Sequence, residues 1–279
     1  MTAVQFTDIQ PLIKLAIEED IKNGDITSMA VFGDGSVSRS VIVSKDEGIF
    51  CGSFIAEYVY AMINTQVRVS ILVPEGSSVP IGARVLSIEG PTRSILEGER
   101  IVLNFLQRMC GIATRTSRAA SLVGNGTIQI LDTRKTLPGF RLLDKYAVAA
   151  GGGTNHRMGL YDMVMIKDNH IKAAGSITNA VQAVRSQWND TYRIEVETTT
   201  IDEVREALAA GADIIMLDNM DRDRIEASLA EINGRALVEL SGNMDEERIR
   251  SVSDLPVDFI SIGALTHSVS AFDLSMKFE

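Results

Sequence analysis

Between Leu131 and Lys172 the chain gathers seven cationic side chains: Arg134, Lys135, Arg141, Lys145, Arg157, Lys167 and Lys172. After Asp132, only Asp144, Asp162 and Asp168 oppose them, although the whole chain carries a formal charge of −10. Guanidinium and ammonium groups meet carboxylates and phosphates in fork or point-charge geometry. A desolvated cationic pocket for a small polyanion is the chemistry such a cluster would serve. A solvated basic face is the plainer explanation of a charge cluster alone. Gly151, Gly152 and Gly153, just before Asn155, His156 and Arg157, point toward a ligand instead, because glycine lets backbone approach closely and adopt positive φ.

Further polar groups recur at the ends of six short apolar runs. Ile128–Leu131 leads into Asp132-Thr133-Arg134-Lys135, and Met163–Ile166 into Lys167-Asp168-Asn169-His170. Ile194–Val196 lies around Glu195 and Glu197, and Ile214–Leu217 precedes Asp218-Asn219. Ala236–Leu240 precedes Ser241-Gly242-Asn243, and Phe259–Ile262 precedes Gly263-Ala264. Arg134, Lys135, Arg157 and Lys167 would supply a cationic floor, and Glu197 and Asp218 a pair of carboxylates. Such carboxylates hold ribose hydroxyls or Mg²⁺. The small-residue turns at Ser241-Gly242-Asn243 and Ile262-Gly263-Ala264 would offer backbone N–H groups to a phosphate. Each residue taken singly has a bland explanation: Glu197 as a solvated strand end, Asp218 as a turn former, Gly242 and Gly263 as turn glycines, His156 in a core, His267 on the surface. Lys167, after an apolar strand, would also suit a Schiff base. Their joint position at strand ends favours a site for a substrate with a phosphate, a sugar and an anionic ring.

The elements that must position these groups follow from periodicity. Amphipathic helices are expected at Ser176–Trp188, Ile201–Ala210, Arg222–Ile232 and Asp245–Val252. The last four apolar runs begin about 20 residues apart, the length of a βα unit, which predicts a parallel sheet. A barrel with its site at the C-terminal strand ends shows this pattern, and so does an open doubly wound sheet. Upstream, Thr7-Asp8 caps a predicted helix reaching Glu19, and residues 19–27 read as a loop. Strands at Ser38–Ser44, Gly48–Cys51, Gln66–Val73 and Ala83–Ile88, with a helix from Ser53 to about Met62, suggest a separate α+β domain. Two helices follow, one through Ile101–Met109 and one over Ala113–Val123, with Gly111 between them.

With 279 residues, 45% of them hydrophobic and 23% charged, the chain has an ordinary globular composition. The acidic balance argues against a nucleic-acid partner. No apolar run approaches the roughly 20 residues that span a bilayer. No signal-peptide pattern is read at the N-terminus. Two distant cysteines, Cys51 and Cys110, suit a reducing cytoplasm.

Taken together, Asp132-Thr133-Arg134-Lys135-Thr136, Lys145-Tyr146-Ala147-Val148, Gly151 through Arg157 and Ile166-Lys167-Asp168-Asn169-His170 resemble the quinolinate phosphoribosyltransferase family. Gly98-Glu99-Arg100, Met216-Leu217-Asp218-Asn219 and Gly263 through Ser268 extend the resemblance over nearly the whole chain. It implies an α/β fold: an N-terminal α/β sandwich domain, residues 1–110, and an incomplete, TIM-like α/β barrel, residues 111–279. It implies transfer of phosphoribose from phosphoribosyl pyrophosphate to quinolinate with decarboxylation, and Mg²⁺ as cofactor. A homo-oligomer, a dimer first of all, is implied because family sites borrow an arginine, here Arg100, from the neighbouring subunit. By the same resemblance Arg134, Arg157 and the borrowed Arg100 would grip quinolinate, with His156 and Thr133 nearby. Lys135 and Lys167 would meet the pyrophosphate, and Glu197 and Asp218 the ribose and Mg²⁺. Ser241, Gly242, Gly263 and His267 would cradle the 5-phosphate, with Asn243, Ile262 and Ala264 of the same turns among the substrate-binding residues. The sequence departs from the family in Asn243, usually glycine, and Cys110, usually serine. A molybdenum-uptake-linked paralogue and a Schiff-base lyase acting through Lys167 are the competing expectations.

Overall fold

The computed structural model describes residues 4–124 and 128–279. The described residues fall into two compact units. One takes the chain up to Ser117 together with Thr136–Gly152 and Leu265–Glu279; the other takes Arg118–Lys135 and Gly153–Ala264. Compactness thus groups two later stretches with the first, where the sequence suggested a single cut after residue 110.

The first unit opens with α1 (Phe6–Asp20) and α2 (Ile26–Val31). The second of these starts inside the expected loop, because the Asp25 carboxylate accepts the Thr27 amide at 2.9 Å and so caps a helix. Then come β1 (Val37–Ser44), β2 (Gly48–Ile49), α3 (Ser53–Ile63), β3 (Arg68–Ile71), β4 (Ser78–Val79) and β5 (Arg84–Pro91). β1, β3 and β5 form an antiparallel sheet that the C-terminal strand completes by pairing along β1, from Ser40 opposite Phe278 to Ser44 opposite Leu274. α4 (Thr92–Leu122) is one unbroken helix, not the two expected. Gly111 lies within it because a Cβ there would come 2.2 Å from the Ser270 carbonyl oxygen. In sequence, a glycine kept for close backbone contact looks like a break.

α5 (Arg141–Ala150) also belongs to the first unit and carries Arg141 and Lys145 with it. Its Asp144 is fully buried and gripped by Arg108 of α4, Nε to Oδ1 at 2.8 Å and Nη2 to Oδ2 at 2.7 Å. Burial pushes the Asp144 carboxyl up, and Arg108 pulls it back. At the end of α5, a Cβ on Gly151 would meet the Ala113 carbonyl oxygen at 2.3 Å. The glycine run therefore begins with a helix-packing contact, not with the ligand contact that the sequence suggested.

The second unit is built from β6 (Gln129–Leu131), β7 (Val164–Ile166), α6 (Asp168–Ala174), α7 (Ile177–Trp188), β8 (Ile194–Thr198), α8 (Ile201–Ala210), β9 (Ile214–Asp218), α9 (Arg222–Ile232), β10 (Leu237–Ser241), α10 (Glu246–Val252) and β11 (Phe259–Ser261). α11 (Ala264–His267) and β12 (Leu274–Phe278) lead back to the first. Ser176, Thr200, Asp221 and Asp245 each accept a backbone N–H at the start of a helix, which sets where each crossover turns. The six strands are parallel in the order β6-β11-β10-β9-β8-β7. Register and alternation put Val196, Ile215, Val238 and Ile260 on one buried apolar face. The other face carries Met165, Glu195, Glu197, Met216, Asp218, Glu239 and Ser241. Beyond β6, Thr154 bridges in parallel to Leu131, and Arg157 Nη1 then donates to the Met163 carbonyl just before β7, at 3.1 Å. Residues 154–157 thus run from one edge strand to the other. The result is an incomplete α/β barrel; the doubly wound alternative is excluded.

Candidate active site at the C-terminal strand ends

Because all six strands run the same way, their C-terminal ends form a single edge. That edge holds Thr133, Arg134 and Lys135 after β6, Lys167 after β7, Glu197 in β8 and Asp218 closing β9. Ser241, Gly242 and Asn243 follow β10, and Ile262, Gly263 and Ala264 follow β11. Every one of these sequence-chosen residues sits where its strand stops. Thr133 Oγ1 accepts the Lys135 amide at 3.1 Å, which turns the chain directly after β6.

Arg134 and Arg157 are close enough to repel. Burial depresses the hold of Arg157 on its proton, the Arg134 charge adds to that, and Glu195 and Asp162 oppose it. Two guanidiniums held together in this way are a receptor for a dianion. Lys167 Nζ lies 2.8 Å from Glu197 Oε2, with 44% of its side chain exposed. A Schiff-base lysine needs an apolar, desolvated setting, so an ion-paired, solvated Lys167 does not fit the lyase alternative. Glu197 pairs in register with Met216, so Asp218, two residues on, faces the same way from the neighbouring strand.

His156 is placed more deeply than the sequence indicated. Asp132, fully buried, accepts the His156 amide at 2.9 Å and Asn155 Nδ2 at 2.6 Å. His156 Nε2 then lies 3.0 Å from Glu195 Oε2 and 3.4 Å from Glu239 Oε2. Burial opposes charge on the ring, while bonding to Glu195 and Glu239 outweighs it and raises His156 to about 9. Burial raises Glu195 to about 7, against the pull of His156. The Arg157 amide donates to Nδ1 at 2.7 Å, and an imidazolium would set two N–H groups against each other there. The raised proton affinity therefore belongs to the cluster, with the proton on the Nε2 side, facing the carboxylates. These three residues have donor atoms within 4.8 Å of one another, as a metal site requires. A metal would need a lone pair on Nε2, and the tautomer set by Arg157 puts a proton there. Glu195, Glu239 and Asp132 were missed as functional residues. Only the alternation of carboxylates with apolar residues inside β8 and β10 hinted at them.

Two of the expected site residues belong to the first unit. Arg100 is exposed on α4, and His267 is exposed at the end of α11, with Nδ1 2.8 Å from Ser268 Oγ.

Comparison with known proteins matches the chain to two family models. Residues 25–110 match the family model of the quinolinate phosphoribosyl transferase N-terminal domain, and residues 112–277 that of its C-terminal domain. A probable carboxylating nicotinate-nucleotide pyrophosphorylase of Bacillus subtilis is 43% identical, covering 92% of this chain and 89% of its own. A chloroplastic carboxylating nicotinate-nucleotide pyrophosphorylase of Arabidopsis thaliana is 42% identical, covering 98% and 83%. The crystal structure of NadC from Streptococcus pyogenes superposes with a TM-score of 0.96 at 38% identity, covering 99% of this chain and 98% of that one.

Proposed function

The chain belongs to the quinolinate phosphoribosyltransferase family, and from that premise we propose how its residues divide the reaction. The enzyme transfers phosphoribose from phosphoribosyl pyrophosphate to quinolinate with loss of CO₂. The products are nicotinate mononucleotide and pyrophosphate, a step of de novo NAD biosynthesis. Arg134 and Arg157, with Arg100 of the partner subunit, grip the quinolinate carboxylates, beside Thr133 and His156. Lys135 and Lys167 meet the pyrophosphate. Glu197 and Asp218 face the ribose. Ser241, Gly242, Asn243, Ile262, Gly263, Ala264 and His267 surround the 5-phosphate. The observation that carries this division is the edge itself: cations lie at β6 and β7, carboxylates at β8 and β9, and small-residue turns at β10 and β11.

Pyrophosphate departure leaves positive charge at the ribose carbon, and Glu197 and Asp218 stabilise it from fixed positions. The quinolinate nitrogen forms the new bond and becomes cationic. That charge accepts the electrons left on the ring carbon as CO₂ leaves, and the carbon then takes a proton. Most of the protein's work is to bring two mutually repelling anions together. The paired carboxylates at neighbouring strand ends supply hard oxygen donors of the kind that hold Mg²⁺ beside substrate phosphates. When bound there, Mg²⁺ would neutralise charge on the pyrophosphate. Homodimerisation follows from the lending of Arg100, and a cytoplasmic setting from the two free cysteines.

The deciding experiment follows CO₂ release from carboxyl-labelled quinolinate while phosphoribosyl pyrophosphate and Mg²⁺ are omitted in turn. Release that needs all three supports the assignment. Turnover independent of Mg²⁺ would remove the metal role, and no release from folded protein would favour the paralogue.

A further inference from the structure

We propose that Asn219 is a positioning residue for phosphoribosyl pyrophosphate, linking the orientation of the Asp218 carboxylate to the 241–243 turn. This rests on the division above, in which Asp218 faces the ribose and that turn faces the 5-phosphate.

Asn219 has a left-handed backbone, φ +54°, a conformation that asparagine tolerates better than most residues. From there its groups reach in three directions. Its amide donates to the Ser241 carbonyl at 3.0 Å, continuing the β9–β10 ladder one residue past the Ser241–Asp218 pair. Its Nδ2 donates to Asp218 Oδ2 at 2.8 Å. Its Oδ1 accepts Asn243 Nδ2 at 3.3 Å. Gly242, with φ +94°, packs onto the same amide group: a Cβ there would fall 2.3 Å from Asn219 Oδ1. One side chain therefore touches the carboxylate and both residues of the turn that follow Ser241.

Both Asn219 and Asn243 are exposed, and hydrogen bonds between exposed groups add little to folding stability. Their value lies in pre-organisation. A carboxylate and a phosphate cradle that must meet two ends of one substrate are fixed relative to each other before it arrives.

The test is steady-state kinetics with each substrate varied in turn. Asn219→Gly keeps the backbone conformation accessible and removes both side-chain bonds. Asn219→Asp keeps the shape but replaces the donor to Asp218 with a second carboxylate. For Asn219→Gly, kcat/KM for phosphoribosyl pyrophosphate should fall about tenfold, as loss of a hydrogen bond to a charged group predicts, with a larger fall for Asn219→Asp. The KM for quinolinate and the thermal midpoint should not move. Asp218→Asn, measured alongside, separates the two levels. If it weakens use of phosphoribosyl pyrophosphate and neither Asn219 variant does, the role of Asn219 is overturned and the site stands. If none of the three does, both fall. Equal losses for both substrates with a lowered midpoint would mark Asn219 as a purely structural turn residue. If Asn219→Gly fails to fold, Asn219→Asp decides alone.

Discussion

At the scale of single residues, the proposed roles predict effects that separate the two substrates. Arg157→Lys keeps the charge but loses the planar fork, so the KM for quinolinate should rise about tenfold while that for phosphoribosyl pyrophosphate stays put. Equal changes in both would remove Arg157 from the quinolinate half. Glu197→Ala should lower kcat roughly a hundredfold in a protein with an unchanged circular dichroism spectrum, because the lost carboxylate acts on charge that develops in the reaction. A near wild-type kcat would exclude that role. The strand-end position of Glu197 was legible in the sequence because strand ends are punctuated: an apolar run stops and polar residues begin. Glu195 and Glu239 were not legible. A carboxylate inside a strand usually marks a solvated face, and nothing local shows that this face closes around His156. Asp132 was hidden differently, since its work is to hold the backbone amide of a residue 24 positions away.

Among the secondary-structure elements, the βα units were readable because fully buried parallel strands are short apolar runs and each following helix carries its own cap. α5 was not, since Asp144 and Lys145 are charged yet buried and spoil an amphipathic pattern. The buried Asp144 that helps to hide the helix also holds it, through Arg108 of α4. Arg108→Met should destabilise the protein by about 3–5 kcal/mol in denaturant titration, the usual cost of stranding a buried charge. The loss should depend on pH with a definite sign. The folded value of Asp144 lies above its unfolded one, and it rises further without Arg108. The penalty is therefore full at neutral pH and shrinks as acid neutralises the carboxyl. A penalty independent of pH would mean that Arg108 acts through packing on Phe140 alone, 5.5 Å from its guanidinium. Gly111→Ala sets two effects in opposition. Alanine gains about 1 kcal/mol of helix propensity, but its Cβ meets a carbonyl oxygen that cannot rotate away. The clash should win, with a lower thermal midpoint; a higher one would show that the 268–272 segment yields easily.

For the whole molecule, the return of β12 to β1 was out of reach of the sequence. Its five residues pair with a strand more than 200 positions earlier, and no local pattern records such a partner. If Arg100 serves the neighbouring subunit, two inactive variants must complement. Mixed and re-associated, Arg100→Ala and Lys167→Ala chains should recover about a quarter of wild-type activity, since half of the dimers are mixed and each has one intact site. No recovery, with mixed dimers shown to form, would place Arg100 in its own subunit's site. Finally, the segment that joins the barrel's two edge strands has a consequence for how this family can diversify. In the proposed division the ribose and the 5-phosphate meet residues that end or follow strands paired on both sides. Arg157, by contrast, rides on a connecting stretch outside those ladders, held by the bridge to Leu131, by the Asp132 carboxylate and by side-chain bonds of His156 and Arg157. If that division holds, drift in residues 153–163, outside the ladders, would reshape the recognised ring acid while the half that activates ribose stays intact. On that division the architecture amounts to a fixed donor head with an exchangeable acceptor cartridge.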